Sequence, residues 1–238
     1  MKIIAVIPAR YGSSRFPGKP LAKLGDKFII QHVYEQAQKS GLFKEIIVGT
    51  DDQRIFEAVD NFGGKVTLTS KQHKSGTDRV AEVCNKMTCC HDADVIVNVQ
   101  GDEPFISEKP LKKLIAEFDD PDVQVATLMH TITENLEDPN VVKVICDENS
   151  DAISFSRTSF IDENYENFKH IGVYAFRRKS LFDFVKLSQT KREKNERLEQ
   201  LRLLDNGYKI RMVLTDYKGI GIDTPEDLKK AERLIQNR

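Results

Sequence analysis

Short apolar segments alternate with amphipathic segments through the first hundred residues of the chain. The apolar segments are rich in Ile and Val and lack the alternation of a half-exposed strand, so they predict buried strands. The segments between them carry apolar residues at helical spacing. Strands that alternate with helices form βαβ units, in which the strands pair in parallel. The predicted strands are Ile3–Ile7, Glu45–Gly49, Val66–Thr69 and Val95–Val99, and the predicted helices are Ile29–Ser40, Asp52–Phe62 and Thr77–Met87.

The pattern changes after Gly101, where strands outnumber helices. We expect a helix from an N-cap at Ser107 through Phe118, a charged helix over Asn195–Asp205, and a final helix that Thr224 and Pro225 start. We therefore predict an α/β fold: a Rossmann-like, mostly parallel sheet flanked by helices. It forms one domain over 1–238, with a smaller β-rich lobe inserted at about 125–210. The strands predicted in this part are Val125–Ile132, Val141–Cys146, Ala152–Ser156, Ile171–Phe176 and Ile210–Leu214.

Basic residues are concentrated at the N-terminus. The 238 residues include 36 Lys plus Arg and 37 Asp plus Glu, yet residues 1–25 contain five basic side chains and no acidic one. A near-neutral total argues against a nucleic-acid partner, while the local excess predicts an anion site. No apolar run approaches the roughly 20 residues of a membrane span, and no secretion signal is evident. We expect a cytoplasmic protein, with no membrane partner and with free thiols at its four cysteines.

The first candidate motif directly follows the first predicted strand and reads Pro-Ala-Arg-Tyr-Gly-Ser-Ser-Arg-Phe-Pro-Gly-Lys-Pro-Leu, residues 8–21. Open α/β sheets bind ligands at this edge, where the strands end. Gly12 and Gly18 allow close approach of the backbone, and serines 13 and 14 add hydroxyl donors. Arg10, Arg15 and Lys19 add three cations that suit an oligophosphate. A solvated basic loop would have a similar composition.

Two acidic turns could supply carboxylates to the same edge. The sequence Gln-Gly-Asp-Glu-Pro over residues 100–104 follows a predicted buried strand and places Asp102 at its end. Asp223 precedes the final predicted helix, where it could alternatively act as a cap. A carboxylate that faces phosphate needs an intervening cation, and Mg²⁺ prefers oxygen ligands. An Asp in a turn with no metal role is the simpler alternative for Asp102, and the helix cap is the simpler alternative for Asp223.

A further motif, Ser75-Gly76-Thr77-Asp78-Arg79, opens a predicted helix. The backbone donors of a helix N-terminus suit an anion. A well-capped helix would account equally for Ser75 and Thr77. Arg79 is less expected there, because a cation in the first turn opposes the helix dipole.

The ordered set of these motifs resembles one family, the CMP-Kdo synthetases (3-deoxy-manno-octulosonate cytidylyltransferases), which have the nucleotide-diphospho-sugar transferase fold. The matching blocks run from residue 5 to residue 228 and cover nearly the whole chain. Besides those already quoted, they include TDD at 50–52, VNVQGDEP at 97–104, FSR at 155–157, HIGVYAF at 170–176, LEQLR at 198–202 and GIDTPEDL at 221–228.

The resemblance implies CTP over the first loop, with catalysis by Lys19, Arg15 and Asp102. It implies nucleotide contacts from Arg10, Ser13, Arg15, Lys19, Ser75, Gly76, Arg79 and Gln100. It implies contacts to the acid sugar from Arg157, His170, Tyr174, Glu199 and Gln200. It also implies Mg²⁺ on Asp102 and Asp223, and a homodimer contact through the second lobe.

The implied reaction transfers CMP from CTP to the anomeric 2-hydroxyl of Kdo, with release of pyrophosphate, for lipopolysaccharide synthesis. Lys19, Arg15 and Mg²⁺ are suited to stabilise the charge that develops on the phosphates.

Two departures from the family pattern leave the acceptor open. The usual Ile-Pro after Phe155-Ser156-Arg157 is replaced by Thr-Ser-Phe-Ile-Asp over 158–162, and the usual Pro-Leu-Glu before Glu199 by Thr-Lys-Arg-Glu-Lys over 190–194. Alternative acceptors are 8-amino-Kdo, another ulosonate or a sialic-acid-like sugar. A nucleotide-binding protein without activity is the alternative of a different class.

Overall fold

The structure is a computed structural model, and it describes residues 1–13, 15–132, 136–158 and 164–236. The strands of these residues are, in chain order, β1 (Ile3–Ala9), β2 (Lys23–Leu24), β3 (Lys27–Phe28), β4 (Glu45–Thr50), β5 (Val66–Leu68), β6 (Val95–Asn98), β7 (Val125–Thr131), β8 (Lys143–Cys146), β9 (Ala152–Ser156), β10 (Phe168–Arg177) and β11 (Arg211–Leu214). The α-helices are α1 (Ile29–Lys39), α2 (Gln53–Asn61), α3 (Gly76–Lys86), α4 (Glu108–Ala116), α5 (Arg178–Lys186), α6 (Lys191–Glu196), α7 (Leu201–Asp205) and α8 (Pro225–Gln236).

The chain divides into two compact units. The terminal unit comprises Met1–Leu111 with Gly219–Arg238, and the central unit comprises Lys112–Lys218. The final helix α8 therefore belongs with the N-terminal βα repeats, although more than a hundred residues separate them in the chain.

The terminal unit contains a parallel sheet with the strand order β6–β1–β4–β5. Its central strand β1 is an uninterrupted apolar run, and Ile4, Ala5, Val6 and Ile7 have no exposed surface. Strands with both faces covered by helices need apolar side chains on each face, which is why the run does not alternate. The parallel α/β prediction for this part of the chain is confirmed.

The central unit is mainly antiparallel. Strand β10 pairs antiparallel with β7 and β8, and β8 pairs antiparallel with β9, while β11 pairs parallel with β7. A turn over Asp147–Asp151 joins β8 to β9, and Ser150 adopts a left-handed conformation there with φ 61°. A β-rich second part of the fold is thus also present.

The predicted helix over Asn195–Asp205 is wrong. Helix α6 ends at Glu196, Arg197 turns into the left-handed region with φ 55°, and a separate helix α7 begins at Leu201. The break lets the buried Leu198 and Leu201 pack into the central unit. Tertiary burial therefore outweighs the helical propensity of the charged sequence. Helix α5, whose buried Leu181 and Phe184 lie at helical spacing, was not predicted.

Candidate active site

The basic loop after β1 is held in place by Tyr11. The backbone N–H of Gly18 donates to the Tyr11 carbonyl over 2.9 Å, and Gly18 is left-handed with φ 72°. A Cβ at Gly18 would lie 3.0 Å from the Tyr11 ring, so both its conformation and this close contact favour glycine. The Arg54 guanidinium lies 3.4 Å from the centre of the same ring. The sequence motif contains Tyr11 but gave it no role, and Arg54 lies outside the motif.

The remaining predicted residues of this loop have different surroundings. Arg10 is exposed, and Ser13 accepts from the Phe16 N–H at 3.4 Å. The predicted contribution of Ser14 lies outside the described residues. Arg15 is about half exposed, and its Nη2 lies 3.0 Å from Asp223 Oδ2.

Lys19 lies between the two carboxylates that were proposed as metal ligands. Its Nζ donates to Asp102 Oδ2 over 2.6 Å and to Asp223 Oδ1 over 3.0 Å. Burial lowers the pKa of the Lys19 ammonium, but the charges and hydrogen bonds of Asp102 and Asp223 outweigh it and raise the pKa above its ordinary value. Lys19 is therefore a fixed cation at neutral pH.

Backbone contacts bring Asp102 and Asp223 together. The N–H of Ile222 donates to the Asp102 carbonyl over 2.9 Å, which places the segment before α8 against the turn after β6. The alternative role of Asp223 as a helix cap is wrong: Thr224 Oγ1 caps α8 by accepting from the Asp227 N–H, and Asp227 Oδ2 accepts from the Thr224 N–H. The Asp223 side chain faces the two basic residues instead.

The helix that begins with Gly76 lies next to the same strand ends. A Cβ at Gly76 would be 3.6 Å from Pro8 Cγ and 3.8 Å from Gln100 Nε2, so the three motifs meet here. Gln100 Nε2 also donates to Asn98 Oδ1 over 3.1 Å. Ser75 forms a capping box with Asp78, which is the capped helix that the sequence left open as an alternative.

Arg79 is buried, with 4% of its surface exposed. Its Nη2 lies 2.9 Å from Asp51 Oδ2, and its Nη1 donates to Thr69 Oγ1. The guanidinium thus ties the ends of β4 and β5 together. Asp51 belongs to the quoted TDD block, but pairing with Arg79 was not predicted for it.

The central unit holds the residues assigned to the acid sugar. His170 Nε2 donates to Thr127 Oγ1 over 3.1 Å, because the single hydroxyl proton of Thr127 is directed to the Val173 carbonyl. The ring packs against Phe155 and Tyr174, with centroid separations of 5.1 and 5.4 Å. Desolvation lowers the pKa of His170 to about 3, so the imidazole is neutral.

Tyr174 and its neighbours form the rest of this group. Burial, with a smaller contribution from the Glu199 charge, raises the pKa of Tyr174 well above its ordinary value, so it stays a neutral phenol. Glu199 and Gln200 lie immediately before α7, not within a long helix. Gln200 is buried, with 4% exposed.

Arg157 follows β9 and is held by main-chain carbonyls. Its Nε donates to Glu196 O over 2.9 Å, and its Nη1 donates to Pro139 O over 3.0 Å. Four of the five residues of the departure after Arg157, Ser159 to Asp162, lie outside the described residues. In the other departure, Thr190 forms a capping box with Glu193 and starts α6.

The chain has extensive similarity to known proteins. The family model described as cytidylyltransferase matches residues 4–210. A 3-deoxy-manno-octulosonate cytidylyltransferase from Bacteroides thetaiotaomicron is 47% identical over 253 aligned residues that cover 100% of each chain. One from Geobacter metallireducens is 46% identical, covering 97% of this chain and 96% of the relative.

Solved structures agree with these relatives. A CMP:2-keto-3-deoxy-manno-octonic acid synthetase in complex with CTP matches with a TM-score of 0.93 and 42% identity, covering 100% of this chain and 99% of that chain. A 4-diphosphocytidyl-2C-methyl-D-erythritol synthase from Anaerococcus prevotii, at 16% identity and a TM-score of 0.68, shares the fold.

A parallel α/β sheet with a cation-rich loop and two carboxylates at its strand ends is the architecture of a nucleotidyltransferase. The chain belongs to the cytidylyltransferase family, and within it to the 3-deoxy-manno-octulosonate cytidylyltransferases.

Proposed function

We propose that the protein transfers CMP from CTP to the anomeric 2-hydroxyl of Kdo and releases pyrophosphate. The observation that carries this proposal is the position of Lys19 between Asp102 and Asp223 at the strand ends, in a chain of this family. The CMP-linked sugar that forms in the cytoplasm is the activated sugar for lipopolysaccharide synthesis.

The chain's own residues act mainly by position and charge. As the 2-hydroxyl attacks the α-phosphorus, negative charge builds on the α-phosphoryl oxygens and on the departing pyrophosphate. Lys19, already held in place by two hydrogen bonds, is preorganised to stabilise that charge without a reorganisation cost. Arg15 is more exposed than Lys19 and pairs with Asp223 through Nη2. Its guanidinium therefore suits the outer phosphates.

Asp102 and Asp223 fit a magnesium site that is completed by substrate. Both carboxylates converge on one cation, the Lys19 ammonium, so the chain already places a positive charge between them. Within the described ranges, no group of three or more His, Cys, Asp or Glu side chains could hold a metal ion. Mg²⁺ commonly uses one or two carboxylates together with substrate phosphates and water. When bound, the metal would neutralise phosphate charge.

The magnesium proposal predicts a defect in metal binding, not in folding. Asp102→Asn removes one ligand charge, so turnover should fall at least about a hundredfold and the Mg²⁺ concentration for half-maximal CTP binding should rise. Pyrophosphate release measures the turnover, and calorimetric titration of CTP at several Mg²⁺ concentrations measures the Mg²⁺ dependence of CTP binding. Asp26→Asn, an exposed aspartate of the same unit, serves as the matched control. Full activity of Asp102→Asn at ordinary Mg²⁺ would refute the metal role.

The acceptor is tested with a panel of ulosonic acids. Kdo, 8-amino-Kdo and a nonulosonate are offered with CTP and Mg²⁺, and pyrophosphate release is measured. We expect Kdo to give the highest kcat/KM. Release with 8-amino-Kdo or a nonulosonate and none with Kdo would move the assignment to that sugar. No release with any acceptor would favour the nucleotide-binding protein without activity.

A further inference from the structure

A buried lysine lies next to Arg157, one of the residues that the family resemblance assigns to the acid sugar. Lys143 begins β8, and none of its surface is exposed. Its ammonium donates to the Asp138 carbonyl over 2.6 Å and to the Arg157 carbonyl over 2.9 Å. No carboxylate forms an ion pair with Lys143 among the parts of the chain that the structure describes. Fully buried lysines are rare unless they are paired.

Lys143 and Arg157 hold the same short segment. Lys143 bonds the carbonyl of Asp138, and Arg157 Nη1 bonds the carbonyl of the next residue, Pro139, over 3.0 Å. Lys143 also bonds the Arg157 main chain, because the antiparallel register pairs Lys143 with Ser156, the preceding residue. The lysine therefore restrains both the backbone from which the Arg157 side chain departs and the segment that its guanidinium contacts.

Neither member of this pair forms an ion pair with a carboxylate of the described residues. The Arg157 guanidinium has no ion-paired carboxylate among residues 1–13, 15–132, 136–158 and 164–236. The Arg157 backbone N–H donates to Glu196 Oε2 over 3.1 Å. Burial lowers the pKa of Lys143, the charges of Asp138 and Glu137 oppose that effect, and the Arg157 charge adds to it. Carbonyl groups carry only partial negative charge, so two neighbouring cations held by carbonyls suit an anionic ligand.

We propose that Lys143 is a positioning residue for acceptor recognition, which fixes Arg157 so that its guanidinium meets the carboxylate of the sugar acid. This inference rests on the proposed function and deepens it. It also extends the set of acceptor residues to one that the sequence motifs did not indicate, because a lysine inside a strand pattern looks like an ordinary exposed position.

The experiment compares Lys143→Met with the unaltered chain. Methionine keeps much of the buried apolar chain and removes the ammonium. We expect the KM for the acceptor to rise about tenfold while the KM for CTP changes less than about twofold, since one strong hydrogen-bonding group is lost on the acceptor side only. Lys179→Met, an exposed lysine of the same unit, is the control and should change neither constant.

A second acceptor separates positioning from general packing. The unaltered chain should prefer the sugar acid to its C1 carboxamide, and Lys143→Met should reduce that preference by about the same tenfold factor. Lys143→Gln, which keeps a donor but not the charge, should give an intermediate acceptor KM. It also replaces Lys143→Met in the test if that variant does not fold. Circular dichroism checks folding.

The possible results distinguish the inference from the proposed function. Turnover by the unaltered chain with an unchanged acceptor KM in both variants would overturn the inference alone. An equal rise of both KM values together with lowered thermal stability would also overturn it, because it indicates a purely structural lysine. No turnover by the unaltered chain would overturn the proposed function and this inference with it.

Discussion

At the scale of single residues, Lys19 combines two properties that rarely occur together. Its side chain is mostly buried, with 12% exposed, yet its charge is stabilised by two carboxylates. A cation in such a position is fixed before substrate arrives, and fixed charges stabilise a transition state more effectively than mobile ones. Lys23, four residues later, is exposed and contacts the Phe28 ring.

This contrast leads to a prediction for Lys19→Ala. We expect kcat to fall about a hundredfold and the KM for CTP to change much less, because the lysine acts mainly on charge that develops in the transition state. Steady-state kinetics at saturating Mg²⁺ measure both constants, and Lys23→Ala is the control. A rise in KM with unchanged kcat would reassign Lys19 to binding of the ground state.

His170 is a second residue whose surroundings have a measurable effect. Its pKa is lowered to about 3 in the folded chain from an ordinary value of about 6.5, so the unfolded chain binds more protons between these values. The neutral ring therefore contributes stability that is fully present above pH 6.5 and is lost as the pH falls toward 3.

We expect this effect to appear as a difference between the unaltered chain and His170→Gln. From pH 6.5 downward, the unaltered chain should lose up to about 1.4 kcal/mol per pH unit more than the variant. Urea unfolding at a series of pH values measures the free energies. Parallel pH profiles for the two proteins would show that His170 does not titrate between folded and unfolded states as proposed.

At the scale of secondary-structure elements, two helices begin with a capping box but in different surroundings. Ser75 with Asp78 forms a capping box for α3 beside Gln100, and Thr190 with Glu193 forms one for α6 in the central unit. An N-cap side chain can stabilise its helix alone, as we expect for Thr190, or can also contribute to the nucleotide binding proposed for Ser75.

The pair of variants Ser75→Ala and Thr190→Ala separates these effects. Each should lower the free energy of unfolding by about 1 kcal/mol, the usual cost of losing an N-cap. Only Ser75→Ala should also raise the KM for CTP, since α3 begins next to Pro8 and Gln100. Chemical denaturation and CTP kinetics give the two readouts. Equal CTP constants for both variants would limit Ser75 to capping.

Strands could be predicted from the sequence where burial is uniform along the whole strand. β1, β4 and β6 are mainly apolar on both faces, and each begins at the residue predicted for it. The charged segment before Asp205 could not be predicted in the same way. There the helix is interrupted between α6 and α7. Across this interruption Arg202 forms a buried ion pair with Glu193, with N–O distances of 2.9 and 2.5 Å. The spacing of apolar residues along the sequence does not indicate this ion pair.

At the scale of the whole molecule, within the described residues, no helix is long and apolar enough to cross a membrane. The proposed site residues are divided between the two units. The proposed nucleotide and metal residues lie in the terminal unit, and the proposed acceptor residues lie in the central unit. Defects on the two sides should therefore be separable kinetically, as the Lys19 and Lys143 variants test.

The homodimer that the family resemblance implies is a further proposal at this scale. We expect light scattering coupled to gel filtration to give about twice the mass of the chain at micromolar concentration. The expected mass should not change with CTP or Mg²⁺, because the resemblance places the dimer contact in the second lobe. Elution at the mass of one chain at every concentration tested would refute the dimer.

Local sequence patterns were enough to predict the strand and helix alternation of the first hundred residues, the basic loop after β1 and the family to which the ordered motifs point. These are local properties, since burial on both faces, turn residues and short motifs are encoded within a few neighbouring positions. The contacts of Lys19 with Asp102, 83 residues away, and with Asp223, 204 residues away, form only when the chain folds. The hydrogen bond from the Lys143 ammonium to the Arg157 carbonyl is also a tertiary contact. Such contacts depend on strand register and on how loops pack at the strand ends, which no local pattern specifies.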